Sequence, residues 1–185
     1  MLAPDDQRLL FQLVRAALRA RFEGAPPPPL PASEALAPER GVFVTLRRGG
    51  ELRGCIGHST PRAPLAAAVR ELACAAAFDD RRFEPLEAHE QADLEIELSV
   101  LTPLEPLAAA DLVVGRHGLV IRHRGRSGLL LPQVASERGW TPVEFLVATC
   151  RKAGLPPDAW RAADCEILGF EAERYEEPAS DGGSR

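Results

Sequence analysis

Two segments of the chain share one pattern, and this repetition constrains the fold more than any other feature of the sequence. Residues 41–58 and 118–135 each contain a β-rich run, a polar turn with glycine and a second β-rich run. This order is typical of a β-hairpin, so we expect one hairpin in each half of the chain. In an alignment without gaps, Gly41 matches Gly118 and the two turns coincide.

Each predicted hairpin is followed by a predicted helix and then by a predicted strand. Residues 64–78 are rich in alanine and have apolar residues at helical spacing. In residues 93–101, apolar residues alternate with glutamate and serine, which indicates a half-buried strand. In the second half, residues 141–154 begin with a capping box and indicate a helix, and residues 165–175 indicate a final strand.

The sequence therefore predicts an α+β fold of two intimately packed subdomains, each roughly a hairpin, a helix and a strand, after an N-terminal helix. The first subdomain is expected at about residues 1–104 and the second at about 105–178, with a disordered tail over 179–185. The repetition indicates either an internal duplication or a chance similarity of two common units. If it is a duplication, Cys55 corresponds to Pro132, and a cleft between the halves is the expected place for a site.

Charge and hydropathy restrict the partners of the chain. The 185 residues have a net charge of −5, whereas binding along a phosphate backbone needs clustered positive charge, so nucleic acid is not an expected partner. No apolar run approaches the roughly 20 residues that cross a bilayer. The predicted N-terminal helix, residues 5–23, is amphipathic and opens with two acids, unlike a signal peptide. We therefore expect a cytoplasmic protein without membrane contact.

No recognisable metal or cofactor motif occurs in the sequence. The cysteines form no C-x-x-C pair and have no histidine at metal-ligand spacing; they are Cys55, Cys74, Cys150 and Cys165. The sequence also has no phosphate-binding glycine loop and no dinucleotide-binding fingerprint. We expect neither a metal site nor a cofactor.

The segment Leu52–His58 carries the strongest functional signal. Gly54 and Gly57 flank Cys55 in a predicted strand, where glycine indicates a bend or the close approach of another group. In an extended strand Arg53 and Cys55 face the same side, and a neighbouring guanidinium favours the reactive thiolate. We take Cys55 as a candidate catalytic residue, and the candidate substrate-binding residues of this segment are Arg53, Gly54, Gly57 and His58. The alternative is that Cys55 is a small buried hydrophobic residue.

Other candidate residues have weaker support. His58 is a candidate base through its proximity to Cys55 in the sequence. His117, near a predicted turn, is a candidate acid, base or substrate-orienting residue, and a structural histidine is an equal alternative. Gln133 and Arg82 are further candidate substrate-binding residues. Gln133 is a polar amide in an apolar block, which should need a partner in the backbone or face the cleft. Arg82 follows a predicted helix end, where a charge is usually solvated or paired locally.

The turn of the second hairpin is basic. Its charged residues are Arg122, His123, Arg124 and Arg126. They suit an anion or an acidic partner surface, although a solvated hairpin tip explains them equally well.

Several segments, in order along the chain, resemble the AMMECR-type domain family. GVFVTL followed by LRGCIG is similar to the hallmark of that family. Later segments with the same resemblance are AAAFDDRRFEPL, LEIELSVL, VGRHGL, LLLPQVASERGW and EFLVATCRKAGL. Two positions depart from the family pattern: Arg81 replaces a common proline, and His58 replaces a common hydroxyl residue. The resemblance implies a single domain over residues 1–178 and raises Arg82 and Phe83 as determinants of the fold or the site.

The resemblance also implies a function without naming a reaction. Bacterial members resemble system protein A of the AmmeMemoRadiSam set, so the resemblance implies a cytosolic protein with a Memo-type and a radical-SAM partner. Its substrate, a small molecule or a protein, is unknown. One hypothesis is an enzymatic modification component in which Cys55 reacts, Arg53 tunes the thiol, and His117 or His58 handles protons. The other is a non-catalytic binding or scaffolding module for those partners.

Overall fold

The computed structural model describes residues 1–178, which form two compact units. The first unit contains Met1–Val100 and the described residues from Glu173 onward, and the second contains Leu101–Ala172. Both units combine helices with antiparallel strands, so the predicted α+β class is confirmed. The predicted tail, residues 179–185, lies outside the described part of the chain. Within residues 1–178, no helix combines the length and hydropathy needed to cross a bilayer.

The first unit contains two helices and an antiparallel sheet. Its elements are α1 (Pro4–Glu23), β1 (Val42–Arg48), β2 (Glu51–His58), α2 (Leu65–Phe78) and β3 (Leu94–Leu101), of which the last residue belongs to the second unit. Strand β1 pairs with both β2 and β3. The predicted N-terminal helix, first hairpin, alanine-rich helix and alternating strand are therefore confirmed.

The core of the first unit follows from two sequence periods. In α1, apolar residues at helical spacing are buried, and in β1 and β3 alternate residues are buried. The buried side chains include Leu10, Val14, Leu18, Val44, Leu46, Leu72, Ile96 and Leu98. Full burial of one such leucine contributes about 1.5–3 kcal/mol relative to exposure. Thr45 and Glu97 are paired across β1 and β3. Because they alternate with the core residues along their strands, their side chains lie on the opposite face of the sheet.

The second unit is built from short strands and two helices. Its elements are β4 (Glu105–Pro106), β5 (His117–His123), β6 (Arg126–Leu130), α3 (Pro132–Glu137), α4 (Pro142–Lys152) and β7 (Glu166–Glu176), of which the last residues belong to the first unit. Strand β5 pairs with β6 and β7, and β4 pairs with β7. The predicted capping box of α4 is present, because Thr141 and Glu144 exchange hydrogen bonds.

The second hairpin is shorter than predicted. The sequence predicts a β-segment that continues to residue 135, but β6 ends at Leu130 and α3 begins at Pro132. Proline has no N–H for a strand ladder, and its fixed φ suits the first position of a helix. Gln133 is therefore on a helix and exposed, so the expectation of an amide in an apolar block that needs a partner is wrong.

The gap-free alignment of the two hairpins is also wrong. The first turn is Gly49–Gly50 and the second is Arg124–Gly125, so the turns differ by two positions from that alignment. Strand β2 also contains an extra residue at Arg53, where the register with β1 shifts. When the paired residues of β2 and β6 are counted from their turns and the extra residue Arg53 is left out, Cys55 corresponds to Leu129 and not to Pro132.

Candidate functional site

The two glycines beside Cys55 are explained by close packing. A side chain on Gly54 would collide with the main-chain oxygen of Ala76, in the last turn of α2. Carbonyls in a last turn have no partner within the helix, so the missing Cβ lets one of them approach the strand. A side chain on Gly57 would collide with the ring of Phe43, its partner across β1 and β2. These contacts fix β2 against α2 and β1.

The thiol of Cys55 lies on the sheet face opposite α2. Gly54 faces α2, and successive strand residues alternate, so the Cys55 side chain faces away from the helix. Thr45 is the cross-strand partner of Cys55, and its Oγ1 donates a hydrogen bond to the sulfur at 3.2 Å. Cys55 is half-buried, whereas Thr45 is 6% exposed. The sulfur is therefore oriented by a buried hydroxyl and belongs to a residue that is partly exposed.

The main chain of Cys55 is held by a carboxylate–guanidinium pair. The N–H of Cys55 donates to Oδ2 of Asp80 at 2.9 Å, and Nη2 of Arg82 donates to the carbonyl of Cys55 at 3.1 Å. Arg82 also donates to both carboxylate oxygens of Asp80, at 2.9 and 2.6 Å. The Arg82 guanidinium, and then the amide of Cys55, hold the pKa of the buried Asp80 carboxyl well below its ordinary value.

Arg53 is held by a second buried carboxylate. Its Nε and Nη2 each donate to Glu90 at 2.9 Å, and Nη1 donates to the carbonyl of Glu84 at 2.9 Å. Glu90 is 6% exposed, and the Arg53 guanidinium lowers its pKa to about 2. The guanidinium is therefore engaged with the loop after α2. A role for Arg53 in tuning the Cys55 thiol stays a prediction.

The remaining predicted site residues belong to two different units. His58, half-buried, is the last residue of β2 in the first unit. His117 and Gln133 belong to the second unit. The Nδ1 of His117 accepts a hydrogen bond from the N–H of Val113 at 3.1 Å, which places the proton of a neutral ring on Nε2. The expected inter-subdomain cleft and the catalytic role of His117 stay predictions.

Three important residues of the site were not singled out from the sequence as site residues: Thr45, Asp80 and Glu90. Each is a polar residue that is buried in the structure. The sequence contains one indication for Thr45, which is a polar residue between the apolar Val44 and Leu46. In a strand, this alternation places the Thr45 side chain on the face opposite the core. Asp80 and Glu90 lie in a loop that is rich in charged residues, where local sequence does not distinguish a buried acid from a solvated one.

A charged cavity lies beside the third strand of the first unit. It has a volume of about 460 Å³, and its lining includes Arg47, Glu95, Glu97 and Arg174. Arg174 contacts the Glu97 carboxylate at 2.5 Å, and Arg47 lies 3.8 Å from it. Glu97 pairs with Thr45, which pairs with Cys55, so the register places the three side chains in one row across the sheet. Among residues 1–178, no group of three or more metal-ligating side chains is arranged to hold a metal ion.

The fold and this hairpin define a class of two-unit α+β proteins with known relatives. The crystal structure of the uncharacterized protein PH0010 from Pyrococcus horikoshii matches with a TM-score of 0.70 and 41% identity, covering 91% of this chain and 90% of that chain. The family model AMMECR1 matches residues 11–175, and the chain belongs to this family.

Relatives from archaea cover almost the whole chain. Protein MK0488 of Methanopyrus kandleri is 44% identical over 192 residues, which cover 98% of this chain and 93% of its own length. A protein of Methanothermobacter thermautotrophicus is 42% identical over 185 residues, which cover 95% of this chain and 96% of its own length.

Proposed function

We propose that this protein is a component of an enzymatic modification system and that it acts through the thiol of Cys55. One observation carries the proposal: the groups around the sulfur already have structural partners. Gly54 and Gly57 accommodate packing contacts, Arg53 binds Glu90, and the amide and carbonyl of Cys55 bind Asp80 and Arg82. Cys55 is half-buried, and its sulfur, oriented by a hydroxyl, is a nucleophilic group of this segment that is left for a substrate.

The chemistry that this arrangement supports best is addition of the thiol to an electrophilic carbonyl carbon. An S–C bond forms, the π electrons of the C=O bond move to oxygen, and that oxygen receives the thiol proton. Atoms and electrons balance without an oxidant or a reductant. The hydroxyl of Thr45 donates a hydrogen bond to the sulfur at 3.2 Å and orients it for this attack. His58 and His117 are the candidates for proton transfer. Gln133 and Arg82 stay candidates for substrate contact.

The proposed setting is the cytoplasm, in a set with a Memo-type protein and a radical-SAM protein. Support for these partners comes from the resemblance of the LRGCIG hexapeptide and of the later segments to the AmmeMemoRadiSam proteins. A thiol component would then act on a small molecule or a protein that the set modifies. Neither a cofactor nor a metal of its own is part of the proposal.

The test is adduct formation in the folded protein. The chain is incubated with a panel of small aldehydes and ketones, with and without the two partner proteins, and adducts are trapped and mapped by peptide mass spectrometry. We expect an adduct on Cys55 that is lost in Cys55→Ala and retained in Cys165→Ala, which removes another half-buried thiol. An adduct that persists in Cys55→Ala would sink the proposal, as would no adduct on Cys55 with any of the carbonyl compounds.

A scaffolding module is the alternative, and one observation favours it. The two charged residues that contact Cys55, Asp80 and Arg82, hydrogen-bond each other and its main chain, so the Asp80 carboxylate is not free to act as a base. A module would bind the Memo-type and radical-SAM proteins and leave the chemistry to them. Pull-down with the purified partners distinguishes the two functions: a module keeps its complex and the full activity of the set in Cys55→Ala, whereas a thiol component loses the activity.

A further inference from the structure

The second unit contains a cavity with a basic lining, although the chain as a whole is acidic. The cavity has a volume of about 670 Å³ and lies between the second hairpin and the segment after α4. Its lining includes Arg124, Arg126, Arg161, His123 and Asp158. Guanidinium groups therefore outnumber carboxylates here, whereas the net charge of the chain is −5. A concave site with an excess of positive charge attracts anions from solution.

Two of these arginines are oriented by neutral groups. Arg126 donates a hydrogen bond to the main-chain carbonyl of Gly154, and the guanidinium carbon of Arg161 lies 4.1 Å from the centre of the Trp160 ring. Among the described residues, neither guanidinium forms an ion pair with a carboxylate. Because a neutral partner orients a guanidinium without cancelling its charge, both remain suited to an anionic ligand.

The third arginine occupies a backbone conformation that is costly for its side chain. Arg124 is the first residue of a two-residue hairpin turn and has a φ of 47°, where glycine, asparagine or aspartate is normally found. Its Nε lies 3.9 Å from Asp164, and both side chains are largely exposed, so this ion pair contributes little. The turn therefore contains an arginine whose backbone is strained and whose side chain makes no strong structural contact. Strained residues of this kind often occur at functional sites.

We propose that this cavity, the basic pocket defined by Arg124, Arg126 and Arg161, binds a small molecule that carries a phosphate group. A planar guanidinium matches two oxygens of a phosphate, and several of them suit a tetrahedral dianion better than a single carboxylate. The cavity volume lies within the range of about 300–1,000 Å³ that is typical of small-molecule sites. An apolar wall for the rest of the ligand consists of Leu155, Pro156 and Ala159. The proposal is independent of the chemistry at Cys55.

The test is a titration of the whole chain with inorganic pyrophosphate at constant ionic strength, followed by the two indole N–H signals in the NMR spectrum. Trp140→Phe assigns the signals. We expect a saturable shift of the Trp160 signal, because its ring contacts Arg161. Arg161→Gln should weaken binding by at least about tenfold, the effect of losing one charge-assisted hydrogen bond.

The chain offers a matched control and a second variant. Arg138 lies 5.2 Å from the ring of Trp140 in the same unit but does not line the basic pocket, so Arg138→Gln should leave the affinity unchanged. Arg124→Gly removes a charge and also the strain of a non-glycine residue at a positive φ. It should weaken pyrophosphate binding while the melting temperature stays the same or rises, which separates a binding defect from unfolding.

Three results would overturn the proposal. The first is the absence of a saturable shift at millimolar pyrophosphate in low salt. The second is an equal loss of affinity in Arg161→Gln and Arg138→Gln. The third is tight binding of an oligonucleotide, or of vesicles with anionic lipids, through the same arginines without any binding of pyrophosphate, because the ligand would then be a polymer or a membrane.

Discussion

The carboxylate of Asp80 accepts a hydrogen bond from the main-chain N–H of Cys55 at 2.9 Å. This contact joins the loop after α2 to the strand that carries the thiol, and Arg82 completes it from the same loop. The position of the sulfur therefore depends on an acid that is distant in the sequence and does not contact the sulfur itself. Asp80 is a positioning residue.

Asp80→Asn should lower the free energy of unfolding by about 1.5 kcal/mol, because it takes the charge from a buried carboxylate that accepts hydrogen bonds from the Cys55 amide and from the exposed Arg82 guanidinium. Chemical denaturation measures the effect. Asp79→Asn is the matched control. The Asp79 side chain is next to Asp80 in the sequence but exposed, so this substitution should lower the free energy of unfolding by less than about 0.5 kcal/mol. Equal costs in the two variants would contradict the structural role of Asp80.

Acid should destabilise the protein through Glu90. Its pKa falls from an ordinary 4.5 to about 2 because Arg53 stabilises the ionised carboxylate. A lowered pKa contributes stability above the unfolded-state value and loses it as the pH falls toward the folded-state value. We expect the melting temperature to decline between about pH 4.5 and pH 2, and Glu90→Gln to remove part of this decline. Glu84→Gln, an exposed acid in the same loop, should keep the full decline; an identical profile in Glu90→Gln would contradict the prediction.

Gly54→Ala should destabilise the first unit by about 2 kcal/mol, the usual cost of forcing a methyl group into a filled space. The added Cβ would meet the main-chain oxygen of Ala76, which cannot move without shifting α2. Thermal unfolding measures the effect, with Glu51→Ala, an exposed position on the same strand, as the control. A neutral Gly54→Ala would mean that α2 does not approach the strand this closely.

The cysteines should differ in their reaction with iodoacetamide in the folded protein. Cys150 is 0% exposed, and burial raises the pKa of the Cys74, Cys150 and Cys165 thiols, which slows their alkylation. We expect Cys55 to be alkylated faster than Cys150, and the rates to converge in concentrated urea. Faster labelling of Cys150 than of Cys55, measured by peptide mass spectrometry, would show that the hairpin does not present the thiol.

Thr45→Val should change the alkylation rate of Cys55 and leave that of Cys165 unchanged, because the Thr45 hydroxyl contacts the sulfur of Cys55 at 3.2 Å. Valine keeps the shape and the β-propensity of threonine, so the hairpin should persist. Circular dichroism checks the fold in parallel. An unchanged rate at Cys55 in a folded variant would exclude the hydroxyl as a determinant of its reactivity.

The sequence determined the local elements because their signals are local. Helical spacing defined α1, alternation defined β3, and the Thr141 capping box defined the start of α4. Glycine near a polar turn defined both hairpins. The β-rich pattern of the second hairpin does not continue through Pro132, because proline favours a helix start.

Only the tertiary structure decided what surrounds the thiol. The register shift at Arg53, the approach of Ala76 to Gly54, and the burial of Asp80 depend on how a helix and a loop pack on a strand. The Asp80 contact with Cys55 spans 25 residues of sequence, and no periodicity encodes a pairing at that separation. The sequence by itself thus determined most of the elements and the segment that carries the candidate site. The contacts of that site follow from packing, because burial and hydrogen bonding are settled by distant parts of the chain.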